Sequence, residues 1–473
     1  MPTAPSTRPL SMPTIVSSRR NRMLPPAPVE RRASSQAGRW FDRLARRMVF
    51  LVRAERTHVR KTNLPLHVDR RHRLRQLSAW SPAWQKEDSM TGFQFRAPGT
   101  IVAQAGSSLL IADDFALRFA RKILIVSDQT LVGLGMVERI EKALRLKGAD
   151  VVVFADVEPE PSAETVRRAT ALGSEHRVDG VVGLGGGSPM DVAKLVALLV
   201  ATPQPLEGLY GVDRAQGVRL PLVLIPTTAG TGSEATRVSV ITSDAHDKAP
   251  ILAPQLVCDT VILDAELTLG LPPKVTAATG VDAMVHAIES YTSGVRKNPV
   301  SDRLALQALA LLFDNIRRAV THGGDIDARS SMLTGSMLAG LAFANASVGA
   351  VHAIAYPLGP QFHVSHGGSN AVVLVPVMRF NMPEATTLYA QIARVVLPGI
   401  ASGDDHAAAD RLVHELETLI PEVGLENRLS PFGIRESHLP DLIEGALRQQ
   451  RILSYNIKLP GRDDIEAVFR AVL

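Results

Sequence analysis

From Lys122 onward the chain changes rhythm at regular intervals. Short apolar runs at residues 123–126, 151–154 and 179–184 alternate with stretches whose apolar positions recur at helical spacing. Such runs, closed by polar punctuation, suit strands buried on both faces of a parallel sheet. Between the first two, Leu131, Met136, Ile140, Leu144 and Leu146 fall on or near one side of a helical stretch, and residues 163–176 read as the next helix. A βαβαβ order predicts a parallel sheet covered on both faces, with ligands at the carboxyl ends of its strands. Residues 222–225 supply a fourth strand. Near Gly270 the alternation gives way to long helical patterns, as at 301–316 and 328–346. The expected organisation is an α/β domain over 90–270 and a helical domain over 271–473.

Charge separates residues 1–89 from the rest. They hold 19 Lys+Arg against 6 Asp+Glu, a balance of +13, so with a net charge of +5 overall the other 384 residues carry −8. All three tryptophans, Trp40, Trp80 and Trp84, lie in this basic leader, and residues 38–60 could form a basic amphipathic helix. Three readings stand side by side: a nonessential extension upstream of a natural start at Met90, an Arg-rich organelle-targeting segment, or arginine clusters that dock on nucleic acid or acidic lipid. No clean apolar core follows a short basic start, so a secretory signal is not among them. Residues 90–473 carry no phosphate-backbone footprint and are expected to bind no nucleic acid. No window approaches 18 uninterrupted apolar residues, so no membrane span is expected. The single cysteine, Cys258, rules out a thiolate metal cluster and leaves His, Asp and Glu as ligands. A lone thiol is consistent with a cytoplasmic protein.

Three strings carry candidate chemistry. The third strand runs into Gly185-Gly186-Gly187-Ser188-Pro189-Met190-Asp191. Here Ser188 suits an N-cap, Pro189 the first helical position, and Asp191 the third residue after the cap. The free N–H groups and dipole of such a helix start form a natural diphosphate cradle, although a plain capped helix reads equally well. The string departs from G-x-G-x-x-G. Asp128 ends the first strand, where a carboxylate could accept hydrogen bonds from an adenosine ribose and repel a 2′-phosphate, or simply cap the next helix. After the fourth strand comes the Thr/Gly-rich loop 226–234, placed where a ligand belongs. Finally, Asp282 and His286 stand four apart on one helical face, a spacing that suits a plain surface pair as well as two ligands of a divalent ion. His352 sits in an apolar helix, and His366 precedes what reads as a Gly-Gly turn. Asp/His donors of this kind suit Fe²⁺ or Zn²⁺ with positions left open for substrate. The nearby His363 reads as a surface or cleft residue.

Together these strings resemble the iron-containing (group III) alcohol dehydrogenase family. The matching segments are 185–194 (GGGSPMDVAK), 226–236 (PTTAGTGSEAT), 280–293 (GVDAMVHAIESYTS) and 349–370, followed by 377–381 (VMRFN), in the family's order and spacing. The resemblance covers 90–473 and none of 1–89. It implies a Rossmann-like α/β dinucleotide-binding domain followed by an all-α metal-binding domain, the dehydroquinate synthase-like architecture. It implies NAD, with NADP less favoured because Asp128 matches the position tied to NAD preference. It implies Fe²⁺, with Zn²⁺ an alternative, on Asp282, His286, His352 and His366. The diphosphate loop corresponds to Gly186, Gly187 and Ser188, with Asp191 close by. Nicotinamide- and ribose-side contacts correspond to Thr227, Thr228, Thr231 and Lys248. The implied activity is hydride transfer between NAD(H) and a small alcohol or aldehyde, in a homo-oligomer of dimeric or higher order. Tyr356 stands where many members have a second histidine facing the substrate, and Glu160 replaces a common asparagine. Hydroxyacid–oxoacid transhydrogenase and maleylacetate reductase are the enzymatic alternatives. A non-catalytic binding protein docked through its leader is the remote one.

Overall fold

A computed structural model describes residues 92–113, 120–245, 247–400 and 403–473. The leader, with its tryptophans and possible amphipathic helix, lies outside the described residues. In chain order the strands are β1 (Thr100–Ala103), β2 (Lys122–Val126), β3 (Asp150–Phe154), β4 (Gly180–Gly185), β5 (Gly211–Val212), β6 (Leu222–Pro226), β7 (Val238–Thr242), β8 (Lys248–Leu252) and β9 (Thr260–Leu263). Six of them form one parallel sheet in the order β1-β9-β6-β4-β2-β3. Every residue of β4, β6 and β9 is buried, which is why these strands read as unbroken apolar runs. The chain moves outward from β2 to β3 and then crosses back, so that β4 pairs with the other edge of β2. That reversal opens a crevice beyond the carboxyl ends of β2 and β4, the usual place for a ligand in an open α/β sheet.

Two features went unread in the sequence. A small second sheet, β5-β8-β7, flanks the first, with β7 antiparallel to β8. The helical stretch after β2 is also broken in two, α1 (Gln129–Gly133) and α2 (Met136–Leu146), by Gly135 in the left-handed region at φ 72°. Leu146, grouped with the core-facing residues above, is 85% exposed, because α2 ends there and turns its last side chain to solvent. Leu131, Ile140 and Leu144 are buried as expected. The next two helices, α3 (Ala163–Glu175) and α4 (Gly187–Ala201), complete the α/β half.

The rest of the chain is helical: α5 (Pro273–Tyr291), α6 (Pro299–Thr321), α7 (Ile326–Ala346), α8 (Ala350–Ala355), α9 (Leu358–Phe362), α10 (His366–Val396), α11 (Asp405–Glu422), α12 (Leu439–Leu447), α13 (Gln450–Leu453) and α14 (Arg462–Ala471). From Val281 to Tyr291, α5 is buried at every position and forms the axis of this half. Two backbone crossings position the site. A Cβ on Gly367 would lie 2.1 Å from the Ala278 carbonyl oxygen, so only glycine lets α10 lie this close to α5. Gly232, at φ 58°, meets Gly340 of α7 with no side chain between them: a Cβ on the first would lie 2.6 Å from the second's Cα. Here the loop after β6 rests directly on the helical half. Among the described residues no single helix is long and apolar enough to cross a membrane.

Candidate metal and cofactor site

Four side chains from three helices converge at the floor of a cavity. Asp282 and His286 come from consecutive turns of α5, His352 from α8, and His366 from the first turn of α10. Each offers a ligand atom, and these atoms all lie within 4.8 Å of one another. His352 Nε2 is 3.9 Å and His366 Nε2 3.5 Å from Asp282 Oδ1. Donors bound to one ion at about 2.1 Å stand roughly 3–4 Å apart, so this spacing suits a single first-row cation. Asp282, His286 and His352 are buried, whereas the His366 side chain is 44% exposed and faces the open cavity.

Ring orientation follows from the opposite nitrogens. His286 Nδ1 lies 3.3 Å from the Gly230 carbonyl and can only donate to it, which leaves Nε2 as the ligand atom. Burial, reinforced by the neighbouring histidines, pushes the His286 pKa down to about 3 against the pull of Asp282, so the ring is the neutral, ligating form. The Asp282 carboxyl is held below its usual range: burial raises it, but the three histidines and the Asn370 amide outweigh that effect. Asn370 Nδ2 donates to Asp282 Oδ1 at 2.7 Å and stands 3.2 Å from His352 Nε2 and 3.5 Å from His366 Nε2. Three lone-pair donors thus turn toward one electropositive group, as they would toward a cation. The donor set fits a divalent ion.

His366 corrects one expectation. Gly367 and Gly368 do not turn the chain; they continue α10, whose N-cap is Ser365, accepting from the Gly368 N–H. Glycine is there for the approach to Ala278 rather than for a turn. His363 ends α9 in a left-handed conformation, exposed and outside the cluster. Tyr356 lines the cavity, with its ring centroid 6.1 Å from that of His366. Burial pushes its hydroxyl pKa up to about 12, so it remains a proton donor at neutral pH.

Of the residues assigned to the cofactor, Gly187, Ser188, Asp191, Thr231 and Lys248 line the same cavity as the four ligands. The N-cap of α4 is Gly186, not Ser188; Ser188 and Pro189 lie inside the first turn. The extended backbone at Gly186 lets the helix begin two residues earlier and leaves its first N–H groups without a side-chain cap. Asp191 is not a capping-box residue either. Its carboxylate accepts from Ser233 Oγ at 2.6 Å and Val240 N at 2.8 Å, and it lies 3.3 Å from the fully buried Lys194 amine, which itself donates to Ser233 Oγ and Val238 O. This network ties the cradle helix to β7 and to the loop after β6. Thr227 is buried and its N–H donates to Gly185 O, while Thr228 packs beside Gly186; neither is among the cavity-lining residues. Asp128 stands at the end of β2 as the N-cap of α1, accepting from Leu131 N at 3.0 Å. Lys248 pairs with Glu160, the departing residue, at 2.9 Å on the cavity wall.

Sequence reasoning missed Glu289, Asn370 and Asn456. Glu289 lies seven residues, two turns of α5, beyond Asp282 on the same face, a spacing that could have flagged it. No local pattern marks the asparagines.

The chain matches the family model described as iron-containing alcohol dehydrogenase over residues 98–265, and that family's C-terminal model over 276–473. It is 42% identical over 355 residues to long-chain-alcohol dehydrogenase 1 of Geobacillus thermodenitrificans, covering 74% of this chain and 89% of that one. It is 35% identical to the sulfoacetaldehyde reductase of Bilophila wadsworthia over 74% of this chain and 91% of the other. Two proteins of solved structure, a 1,3-propanediol oxidoreductase and an alcohol dehydrogenase from Oenococcus oeni, each superpose with a TM-score of 0.78, at 33% and 30% identity, over 81% of this chain and all of theirs. A parallel nucleotide-type sheet, a helical half carrying an Asp-His-His-His cluster, and these likenesses converge: the chain belongs to the iron-containing alcohol dehydrogenase family.

Proposed function

We propose that this chain transfers a hydride between NAD(H) and a small alcohol or carbonyl substrate whose oxygen sits at the Asp282–His286–His352–His366 centre. The observation that carries this reading is that the four donors open into the same cavity as the uncapped start of α4, Thr231 and Lys248. When bound, the divalent ion supplies Lewis acidity toward the substrate oxygen, and the nicotinamide gives or takes the hydride. The chain's own part is positional and electrostatic. Asp282 contributes the one negative charge among the four ligands, and His366, the most exposed of them, borders the space left for substrate. Phe343, Val348 and Ile452 give the substrate end of the cavity an apolar wall. Tyr356 is placed to donate a hydrogen bond toward the same space.

Anaerobic purification with elemental analysis, coupled to NADH oxidation on C2–C6 aldehydes, tests the proposal. Protein that carries Fe²⁺ or Zn²⁺ yet oxidises no NADH on any of them would count against it. The Tyr356→Phe variant is expected to retain its ion while kcat falls roughly ten-fold, the scale of one lost hydrogen bond worth about 1.4 kcal/mol. Unchanged kcat would leave Tyr356 a wall residue only.

For the cofactor, the single carboxylate at the end of β2 favours NAD over NADP. Asp128→Ser keeps a capping oxygen for Leu131 N and removes the charge. The expected result is a rise in the NADPH-to-NADH ratio of kcat/KM; an unchanged ratio would make Asp128 a cap alone. The family likeness also supports a homo-oligomer, dimeric or higher, in the cytoplasm. Size-exclusion chromatography with light scattering checks the first and fractionation the second.

A further inference from the structure

We infer that Glu289 is the positioning residue of the metal centre, holding His352 in the one tautomer that can bind an ion and, through the same carboxylate, hanging the short helix that carries it. The inference rests on the metal-centre reading above and adds to it a residue that belongs to neither the ligand set nor the cofactor contacts.

The geometry begins with α8. Six residues are too few for a stable helix on their own. Its N-cap, Gly349, has no side chain to satisfy the first orphan N–H groups. Both are satisfied from elsewhere in the chain. Ala350 N donates to Asn456 Oδ1 at 3.2 Å, and Val351 N donates to Glu289 Oε1 at 2.6 Å. Glycine at 349 is what lets these two side chains reach the helix start: a Cβ there would stand 2.9 Å from Asn456 Oδ1 and 3.3 Å from Glu289 Oε1. The other oxygen of Glu289 lies 2.6 Å from His352 Nδ1. Glu289 is itself buried.

A carboxylate only accepts, so Nδ1 of His352 carries the proton and Nε2 presents its lone pair. The far side of the ring agrees. Asn370 must aim its amide nitrogen, not its oxygen, at Asp282 Oδ1, and that N–H₂ group also faces His352 Nε2. A donor on that side needs an acceptor at Nε2. Two independent neighbours therefore select one tautomer, with its lone pair pointing at Asp282 and His366. A hydrogen-bonded carboxylate also makes the imidazole a stronger donor to the ion. Position and basicity are set together, by a residue 63 positions away in sequence.

Glu289→Gln separates these roles. The Gln oxygen still accepts from Val351 N, so α8 keeps its anchor. The Gln N–H₂ then faces Nδ1 and favours the opposite tautomer, with the proton on Nε2. Expected: far-UV circular dichroism and metal-free Tm close to the parent, with Kd for Zn²⁺ or Co²⁺ by chelator competition raised roughly 10- to 100-fold, and an altered visible d–d spectrum for the Co²⁺ form. Glu289→Ala is expected to lose affinity and Tm together. A Gln variant that binds both ions with parental Kd and spectrum overturns the inference while leaving the metal centre intact. Parent protein that binds neither ion overturns the metal-centre reading itself. A measurement on the parent keeps the question decidable should the Gln variant fail to fold. In the ¹⁵N-histidine-labelled zinc form, His352 is expected to show a proton on Nδ1 and none on Nε2; a proton on Nε2 refutes the assignment.

Discussion

His352→Ala is expected to empty the centre and to lower kcat/KM by at least about three orders of magnitude. A Lewis acid supplies several kcal/mol of transition-state stabilisation, and about 4 kcal/mol corresponds to a factor near 10³. His352 is buried between Glu289 and Asn370, so truncation to a methyl group removes one of the four donors and the ring orientation those two neighbours fix. The truncation also leaves one oxygen of the buried Glu289 carboxylate without its partner, while the other keeps the Val351 N–H, at a stability cost of about 1–3 kcal/mol or somewhat more for a charged acceptor. That cost is small for a half whose apolar core runs unbroken from α5 to α14. The variant should therefore remain folded by circular dichroism, with elemental analysis reading no ion and NADH oxidation at background. An active, ion-free variant would end the metal-centre reading.

Gly367→Ala is the second large effect, and it works through the backbone. The added methyl carbon would fall 2.1 Å from the Ala278 carbonyl oxygen and 3.3 Å from the Asp282 Cβ. Backbone cannot swing aside as a flexible side chain would, so α10 must move off α5. His366 sits one residue before the clash and Asp282 one turn after it, so the displacement pulls one ligand away from the other. Overpacking of this severity costs about 3 kcal/mol or more. The expected readings are a fall in Tm of several degrees and weakened ion retention, the second outlasting any suppressor that restores only the first. A variant with parental Tm and ion content would show that the two helices have slack.

Much of this architecture is legible in the amino-acid order. Strands β2, β4 and β6 announce themselves because burial on both faces leaves their interiors apolar, and the edge strand β3 reads the same way from its Val-Val-Val-Phe run although Val152 and Val153 are only half-buried. Asp282 and His286 are visible as a four-spaced pair and His352 as a histidine in an apolar helix, but it is the family resemblance that joins them with His366 into one ligand set. What escaped notice is what depends on distance rather than order. Glu289 shares a helical face with Asp282, but its partners appear only once α8 is folded against it. Asn370 and Asn456 are ordinary polar residues whose partners lie 88 and 106 positions away. Ser188 has the right chemistry for an N-cap, yet Gly186 takes that role, because the extended backbone leaving β4 lets the helix start earlier. Gly367 and Gly368 suggest a turn by composition, and only the closeness of α5 shows why glycine is required. The basic leader makes the strongest compositional statement and lies outside the described residues.

The loop after β6 has one more consequence. Its Gly230 carbonyl holds the ring of His286, its Thr231 borders the cavity on the cofactor side, and its Gly232 rests on α7 without a side chain between. On the proposed function, three consecutive residues thus lie between the two ligands, the ion and the dinucleotide. Any free energy that couples the two must be equal seen from either end: if dinucleotide tightens ion retention by some factor, the ion tightens dinucleotide by the same factor. Were that factor greater than one, ion content and dinucleotide affinity would fall together when either is withdrawn.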